Sequence, residues 1–354
     1  MRIFKDKTVV ITGGTGSLGK ILTRRLLARK NDSPAKIIIF SRDEAKQHFM
    51  RIELPAKLGV TDRIIHEELE RQLEFRIGDI RNYHSVCSVL QQADIVINAA
   101  ALKQVPTCEY YPYEAVQTNI AGAENIVRAI RENKLPVETV IGVSTDKACL
   151  PINVMGMTKA IQERLFINAN ISLPSTRFIC VRYGNVLASR GSVIPLFHKQ
   201  IKKGGPVTIT TPEMTRFLLS LNRAADTIIT ALNEAKPGEI YVPIIPAARI
   251  TNIARALIGN RKIEMVFTGI RPGEKTHESL VSLEESGHTL QRGDYYVIKS
   301  LLPEISAGEE VQEALQHAYS SRDCVISRNE TMALLARHRL RIEDEPDQVG
   351  EFLR

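Results

Sequence analysis

Short apolar runs rich in β-branched residues alternate, over the first half of the chain, with stretches in which apolar residues recur at helical spacing. The short runs are typical of buried strands, whereas the 3.6-residue period indicates amphipathic helices. The predicted strands cover residues 7–12, 36–40, 73–77, 94–98, 139–143 and 176–182. Predicted helices include one after the first strand, one over residues 114–131 and one that begins near Val154. This regular alternation predicts an α/β fold with a doubly wound parallel sheet and right-handed crossovers.

The second half of the chain has a different pattern. Brief strands and helices there are separated by polar or glycine-rich loops at residues 190–192, 202–206, 214–217 and 271–275. We therefore expect residues 1–185 to form the sheet domain, to which some later segments can return, and residues 186–340 to form a smaller C-terminal α/β lobe. A charged, helix-leaning insertion lies between Gln47 and Gln72, and a charged tail covers residues 341–354.

Composition narrows the class of protein. The chain has 354 residues, 44% hydrophobic and 25% charged, as in ordinary globular proteins. Its net charge of +7 suits an anionic partner, but Lys and Arg are dispersed, so nucleic acid is a weak hypothesis and a phosphorylated small molecule explains the charge equally well. The five cysteines form no C-x-x-C pair, which argues against a zinc site and a disulfide framework. Without a signal segment or an apolar stretch of ~18 residues, we expect a reduced, cytoplasmic protein with no bound metal.

A glycine-rich loop follows the first predicted strand directly. Glycines let the backbone turn tightly and approach a pyrophosphate, whose charge is stabilised by the N–H groups and dipole of the next helix. The alternative is a simple tight loop, but the strand before it and the amphipathic helix after it favour a Rossmann-type dinucleotide site. The residues predicted to bind the cofactor here are Gly13, Thr15, Gly16, Ser17, Leu18 and Gly19.

The residues after the second strand indicate which dinucleotide binds. Ser41, Arg42 and Lys46 stand where NAD enzymes usually carry an acidic residue, and Arg accommodates a 2′-phosphate. NADP is therefore predicted in preference to NAD, although Asp43 could instead turn toward the ribose. Further along, Asp79 and Ile80 are candidates to hold the adenine. The small side chains of Ala99, Ala100 and Ala101 permit close approach of a flat cofactor, or are ordinary core packing.

Several candidate catalytic side chains lie where the fifth predicted strand ends. Thr145, Asp146 and Lys147 place a hydroxyl, a carboxylate and an amine side by side at the strand end, where open α/β sheets bind ligands. Met155 and Lys159 follow, four residues apart, in the next predicted helix. The alternative is a polar loop that caps this helix.

Together these motifs resemble the extended short-chain dehydrogenases/reductases. More narrowly, the chain resembles the nucleotide-sugar 4,6-dehydratases that act on UDP-N-acetylglucosamine in polysaccharide biosynthesis. The matching segments occur in the family's order and cover residues 5 to roughly 280. They are TGGTGSLG (12–19), FSRDEAKQ (40–47), GDIRN (78–82), AAALKQVPTCEYYPYEAVQTN (99–119), STDKACLPINVMGMTK (144–159), RYGNVLASRGSVIP (182–195), MTRF (214–217) and RPGEKTHE (271–278).

Met155 departs from the usual pattern of the superfamily. Most members have a Tyr four residues before the helical Lys, which removes the sugar hydroxyl proton. A thioether has no titratable proton and accepts hydrogen bonds only weakly, so Met155 cannot do this. A subgroup of the dehydratases resembling this chain has the same Met, in short soluble inverting forms and in long membrane-anchored forms, and the length here fits the former. Loss of the Tyr could instead mark a non-catalytic homologue that only binds cofactor.

The resemblance implies a role for each candidate residue. Lys147, made neutral by desolvation and the nearby cationic nicotinamide, would take the C5 proton, and Asp146 would protonate the departing hydroxyl. Thr145 would bind the 4-hydroxyl, and Lys159 would hold the nicotinamide ribose. The residues assigned to the UDP-sugar are Lys103, Asn185, Val193, Arg216, Arg271 and Glu274. Arginines suit such contacts because guanidinium groups bind pyrophosphate through two hydrogen bonds.

The resemblance predicts a homo-oligomeric, NADP-dependent dehydratase that inverts C5 and forms the L-arabino 4-keto product. A UDP-sugar 4-epimerase is the alternative within enzymes, since it shares the fold and the cofactor loop. It needs no Asp-Lys pair for elimination, however, and normally keeps the Tyr.

Overall fold

A nine-stranded sheet organises the computed structural model, which describes residues 2–29, 31–57, 71–187, 192–306 and 314–344. Most of the predicted insertion, Arg190 with Gly191, and most of the predicted tail lie outside the described residues. The sheet strands are β1 Thr8–Thr12, β2 Lys36–Ser41, β3 Leu73–Ile77, β4 Ile95–Asn98, β5 Thr139–Thr145, β6 Arg177–Tyr183, β9 Ile240–Pro243, β13 Thr289–Arg292 and β14 Tyr295–Ile298. Six short strands lie outside the sheet, namely β7 Val207–Ile209, β8 Thr215–Phe217, β10 Ala247–Arg249, β11 Met265–Phe267, β12 Ser279–Val281 and β15 Tyr319–Ser320.

The strand order is β13-β14-β9-β6-β5-β4-β1-β2-β3. From β3 to β9 neighbouring strands are parallel, and β14 then pairs antiparallel with both β9 and β13. The predicted doubly wound parallel sheet is confirmed, and its six predicted strands begin and end within two residues of the observed ones. The centres of β1, β2 and β4 are buried, as expected of parallel strands covered on both faces.

Helices flank the sheet and fill the C-terminal lobe. They are α1 Ser17–Leu27, α2 Glu44–Lys57, α3 Tyr83–Leu90, α4 Val105–Tyr110, α5 Pro112–Ala115, α6 Gly122–Asn133, α7 Val154–Ser172, α8 Val193–Lys202, α9 Leu221–Glu234, α10 Ile250–Ile258, α11 Leu283–Ser286, α12 Pro303–Ser306 and α13 Arg328–Arg337. No helix among the described residues is both long and apolar enough to cross a membrane.

The prediction of one regular helix over residues 114–131 is wrong. A π-helix, Val116–Ala121, lies between α5 and α6. Within it, the Asn119 amide accepts a hydrogen bond from the Leu102 N–H (2.9 Å) and donates to the Leu102 carbonyl and the Thr158 hydroxyl (both 3.0 Å). These tertiary bonds accompany a local change of helical pitch that periodicity alone does not indicate.

Residues after 185 contribute to two apolar cores. The main core includes Tyr241 and Val297 from the returning strands β9 and β14. A second core, around Phe197 and Leu257, lies among α8, α10, α13 and the short strands β7 and β10. The C-terminal half therefore completes the central sheet as well as forming its own lobe.

Arg182, near the end of β6, joins these parts through a buried ion cluster. Its guanidinium donates two hydrogen bonds to Glu163 of α7 (3.0 and 2.7 Å) and two to Glu285 of α11 (2.7 and 2.9 Å). It also donates to the Leu280 carbonyl of β12 at 3.0 Å. Arg182 thereby fixes the segment after residue 278 against the sheet.

Candidate active site

The glycine loop lies at the point where the strand order reverses. β1 lies between β2 and β4, so their following loops diverge and leave a crevice at the carboxyl edge. Gly13 has φ +64°, and a Cβ there would lie 2.8 Å from the Ala100 Cα. Only glycine fits this contact between two backbones, and no side chain caps the N-terminus of α1. The N-terminus of α1 thus combines a close backbone approach with the dipole end that typically binds a pyrophosphate.

Two residues that sequence reasoning missed hold the alanine run beside this loop. The Thr12 hydroxyl donates to Asn98 Oδ1 at 2.7 Å and accepts from the Ala100 N–H at 3.2 Å. Both residues end their strands, and both are buried. A polar pair at two strand ends is a weak sequence signal, because nothing in the chain order indicates that β1 and β4 are neighbours.

The residues expected to select the cofactor meet at the ends of β2 and β3. Arg42 Nη1 lies 3.5 Å from Asp79 Oδ2, and Arg81 binds the same carboxylate at 2.9 and 2.7 Å. Burial raises the pKa of Asp79, but these guanidinium groups outweigh that effect and hold the pKa below its ordinary value. Asp43 forms an ion pair with Lys46. Asp79 is therefore ionised, and Arg42 is the more exposed member of the pair.

Thr145, Asp146 and Lys147 form a hydrogen-bonded group where β5 ends and a 3₁₀ turn, Asp146–Ala148, begins. The Thr145 hydroxyl and the Lys147 ammonium each donate to Asp146 Oδ1 at 2.9 Å. Asp146 is fully buried, and its Oδ2 has no hydrogen-bond partner within the described part of the chain. The predicted hydroxyl, carboxylate and amine thus lie in mutual contact.

Glu278 is a second buried carboxylate beside the lysine, and sequence reasoning missed it. Its Oε1 lies 3.4 Å from Lys147 Nζ and 3.9 Å from Arg216 Nε. Burial lowers the pKa of Lys147, and Arg216 adds to this, but Asp146 and Glu278 together raise it above its ordinary value. The two carboxylates therefore favour the ammonium form of Lys147, whereas the expected neutral amine depends in addition on a nearby cationic nicotinamide.

Met155 and Lys159 lie one turn apart on α7, which follows the 3₁₀ turn in the chain. Met155 packs with Cys108 and Ala115 in a small apolar cluster. Lys159 is buried and donates to Gln162 at 2.6 Å, and burial lowers its pKa to about 8. Gly156 lets the helix pass close to the turn, because a Cβ there would lie 2.1 Å from the Lys147 carbonyl oxygen.

Asn153 joins the start of α7 to the loop at residues 271–275. Its Oδ1 caps the helix by accepting from the Gly156 N–H at 2.8 Å, and its Nδ2 donates to the Gly273 carbonyl at 2.7 Å. Lys275 donates to the Cys149 carbonyl at 2.7 Å. The segment between the 3₁₀ turn and α7 is therefore connected to the 271–275 loop at two points.

A cavity of about 230 Å³ opens beside Lys147 and Glu278. Five predicted substrate residues line it: Asn185, Val193, Arg216, Arg271 and Glu274. Lys103 is exposed and is not among the lining residues. Buried oxygens of Asn185 and Glu274 lack hydrogen-bond partners among the described residues, and such oxygens call for a donor. The cavity thus brings acceptors, cations and apolar groups together beside the reactive turn.

Arg216 is already largely engaged by the protein. Its Nη1 donates to the carbonyls of Thr215 (2.7 Å) and Thr276 (3.1 Å), and its Nη2 donates to Lys275 (2.9 Å). Because of these bonds, the Arg216 guanidinium has fewer N–H groups left to bind a pyrophosphate than the assignment from the sequence requires. Arg271, by contrast, is exposed at the cavity.

Comparison with known proteins gives consistent matches over most of the chain. A family model described as polysaccharide biosynthesis protein matches residues 9–300. Curated proteins named UDP-glucose 4-epimerase from Rickettsia bellii (strain OSU 85-389) and Rickettsia conorii (strain ATCC VR-613 / Malish 7) are each 48% identical, over 303 and 301 residues respectively. Each match covers 84% of both chains.

Solved structures share the fold. Pen from Bacillus thuringiensis is 35% identical with a TM-score of 0.83, covering 95% of this chain and 99% of Pen. DesIV (dTDP-glucose 4,6-dehydratase) from Streptomyces venezuelae, solved with NAD, is 19% identical with a TM-score of 0.63, covering 76% of this chain and 86% of DesIV. At that identity the likeness to DesIV concerns the fold alone.

Proposed function

Because the chain belongs to the polysaccharide biosynthesis protein family, we propose that it is an NADP-dependent dehydratase of UDP-N-acetylglucosamine. In coarser terms, it is a nucleotide-sugar-modifying enzyme of the short-chain dehydrogenase/reductase type. The proposed product is a UDP-2-acetamido-2,6-dideoxy-hexos-4-ulose. The observation that carries the proposal is the contact of Lys147 with Asp146 beside the cavity, because elimination of water requires a base and an acid close together.

When bound, NADP would supply hydride chemistry, accepting hydride from sugar C4 and returning it at C6. The residues that would hold it are the loop at 13–19, Ser41, Arg42, Lys46, Asp79, Ile80, the alanines at 99–101, and Lys159. The close backbone approach of Gly13 to Ala100 is the local feature that fits such a group.

Thr145 and Asp146 provide a route for the 4-hydroxyl proton that Met155 cannot take. The Thr145 hydroxyl already donates to Asp146 Oδ1, so a sugar hydroxyl that donates to Thr145 can pass its proton through to Asp146. Asp146 is then a carboxylic acid, which can protonate the C6 hydroxyl as it departs as water. The proton taken in the first step is thus the one given in the second.

Lys147 removes the C5 proton in this scheme, with the electron pair forming the C5–C6 double bond as C6–O breaks. Only the neutral amine can accept that proton. Since the pKa of Lys147 lies above its ordinary value, the active fraction of the free enzyme increases as pH rises toward that pKa.

Cofactor preference can be tested with Arg42→Asp. Loss of the cation and addition of a negative charge beside Asp79 should weaken NADP binding about tenfold or more and reverse the preference toward NAD. Calorimetric titration of both dinucleotides measures the change. Arg131→Asp, on α6, is the control, and unchanged relative affinities in Arg42→Asp would refute the assignment.

A second candidate, UDP-sugar 4-epimerase, is favoured by the name of the Rickettsia relatives, UDP-glucose 4-epimerase. That reaction oxidises and re-reduces C4 and needs no base for C5. The buried thioether at position 155 and the Asp146–Lys147 pair support elimination instead.

Turnover of UDP-N-acetylglucosamine in deuterated water distinguishes the two reactions. The dehydratase should place deuterium at C5, whereas the hydrogen that reaches C6 originates at C4 and should initially remain protium. Mass spectrometry should find the loss of one water, and early NMR spectra should locate the label and give the C5 configuration. We propose inversion to the L-arabino form, in which C5 takes its new proton from solvent on the face opposite Lys147. A D-xylo product would refute inversion only, whereas a product without C5 deuterium would refute Lys147 as the exchanging base.

A further inference from the structure

Glu278 lies beside Lys147, immediately before β12. Its side chain is 2% exposed, and its Oε1 is 3.4 Å from Lys147 Nζ. Asp146 Oδ1 lies 2.9 Å from the same nitrogen. The ammonium therefore contacts two carboxylates that are 132 positions apart in the chain.

The backbone of Glu278 is fixed from both directions by Ser321. The Glu278 N–H donates to Ser321 Oγ at 2.9 Å, and the Ser321 N–H donates to the Glu278 carbonyl at 2.8 Å. Ser321 Oγ is also hydrogen-bonded to Thr215 Oγ1 at 2.8 Å. Two residues further along, Arg182 binds the Leu280 carbonyl. Since these bonds engage the backbone, a change of the Glu278 side chain leaves them in place.

The charged groups that face Lys147 are Asp146, Glu278 and Arg216. Arg216 opposes a positive charge on Lys147, whereas both carboxylates favour it. Glu278 Oε2 has no hydrogen-bond partner in the described chain, so its charge is not dispersed by further donors. In a buried setting such charges interact more strongly than in water.

We propose that Glu278 is a positioning residue for Lys147, holding its ammonium at the cavity wall together with Asp146. The inference concerns the proposed dehydration site and rests on that function for the meaning of its kinetic effects. The effect of Glu278 on the pKa of Lys147 can be measured whether or not the protein catalyses dehydration.

The direct test is an NMR titration of the full-length protein labelled at lysine ¹³Cε, without substrate. The Lys147 signal is assigned by its absence from Lys147→Arg. In Glu278→Gln the pKa of Lys147 should fall, because one facing negative charge is lost, and in Glu278→Asp it should remain closer to that of the unsubstituted protein. Glu213→Gln, which removes an exposed carboxylate that does not contact Lys147, is the control. Equal Lys147 titration in Glu278→Gln and the unsubstituted protein would overturn the proposal.

The kinetic test follows kcat/KM against pH with UDP-N-acetylglucosamine. The rising limb should move about one pH unit toward acid in Glu278→Gln, with KM little changed. A uniform loss of rate without movement of the limb would mean that Glu278 has only a structural role, and would refute the proposal. If the NMR shift occurs but no protein forms dehydrated product, the proposed function fails while the role of Glu278 in setting the charge of Lys147 stands.

Discussion

Replacing Lys147 with alanine is expected to reduce the rate of dehydration by about 10²–10⁴-fold, the usual contribution of a general base or acid. In the proposed mechanism this amine accepts the C5 proton; it lines the cavity and contacts the carboxylate proposed as the acid. The measurement is the initial rate of water loss from UDP-N-acetylglucosamine, together with C5 deuterium incorporation, which should be lost in parallel.

Met155→Leu is the matched control for this experiment. The Met155 side chain packs in the cluster with Cys108 and Ala115, and exchange of Met for Leu conserves volume. It should therefore retain most of the activity. Equal losses in the two variants, with both folded, would mean that the thioether takes part in the reaction and that the assignment of proton transfer to Lys147 is incomplete.

The second large effect concerns stability. Arg182→Met is expected to lower the free energy of unfolding by about 3–5 kcal/mol, because it leaves two buried carboxylates without their cation. Glu163 and Glu285 each receive two hydrogen bonds from this one guanidinium, and a methionine replaces none of them. Urea unfolding followed by circular dichroism measures the loss.

Two further variants identify the cause of that loss. Adding Glu163→Gln and Glu285→Gln to Arg182→Met should recover much of the stability, because the unpaired charges are then gone. Arg128→Ala, which breaks an exposed pair with Glu132, should change stability little. If the triple variant is no more stable than Arg182→Met, the loss comes from packing rather than from buried charge.

The sheet could be predicted closely because each parallel strand is a short apolar run between polar ends. The C-terminal sheet strands β9, β13 and β14 were not predicted individually. They have only four residues each, and a run of that length does not distinguish a strand that joins the central sheet from one in a separate lobe.

In the candidate site, too, contacts between residues that are close in sequence could be predicted, and contacts between distant segments could not. Thr145, Asp146 and Lys147 are neighbours in sequence, so their contact follows from the end of one strand. The contact of Glu278 with Lys147 depends on how the C-terminal segment returns to β5, and no local pattern encodes it. For the same reason the sequence does not indicate that a second carboxylate raises the pKa of Lys147.

The Asn153 amide has a consequence for how binding energy can be used. It joins the cap of α7 to the loop that carries Arg271 and Glu274, so under the proposed function the residues assigned to the nucleotide and the start of the helix that carries Lys159 are directly connected. Enzymes commonly use contacts with remote, unreactive parts of a substrate to stabilise the transition state. If the proposed function holds, contacts with the UDP group would then raise kcat as well as strengthen substrate binding.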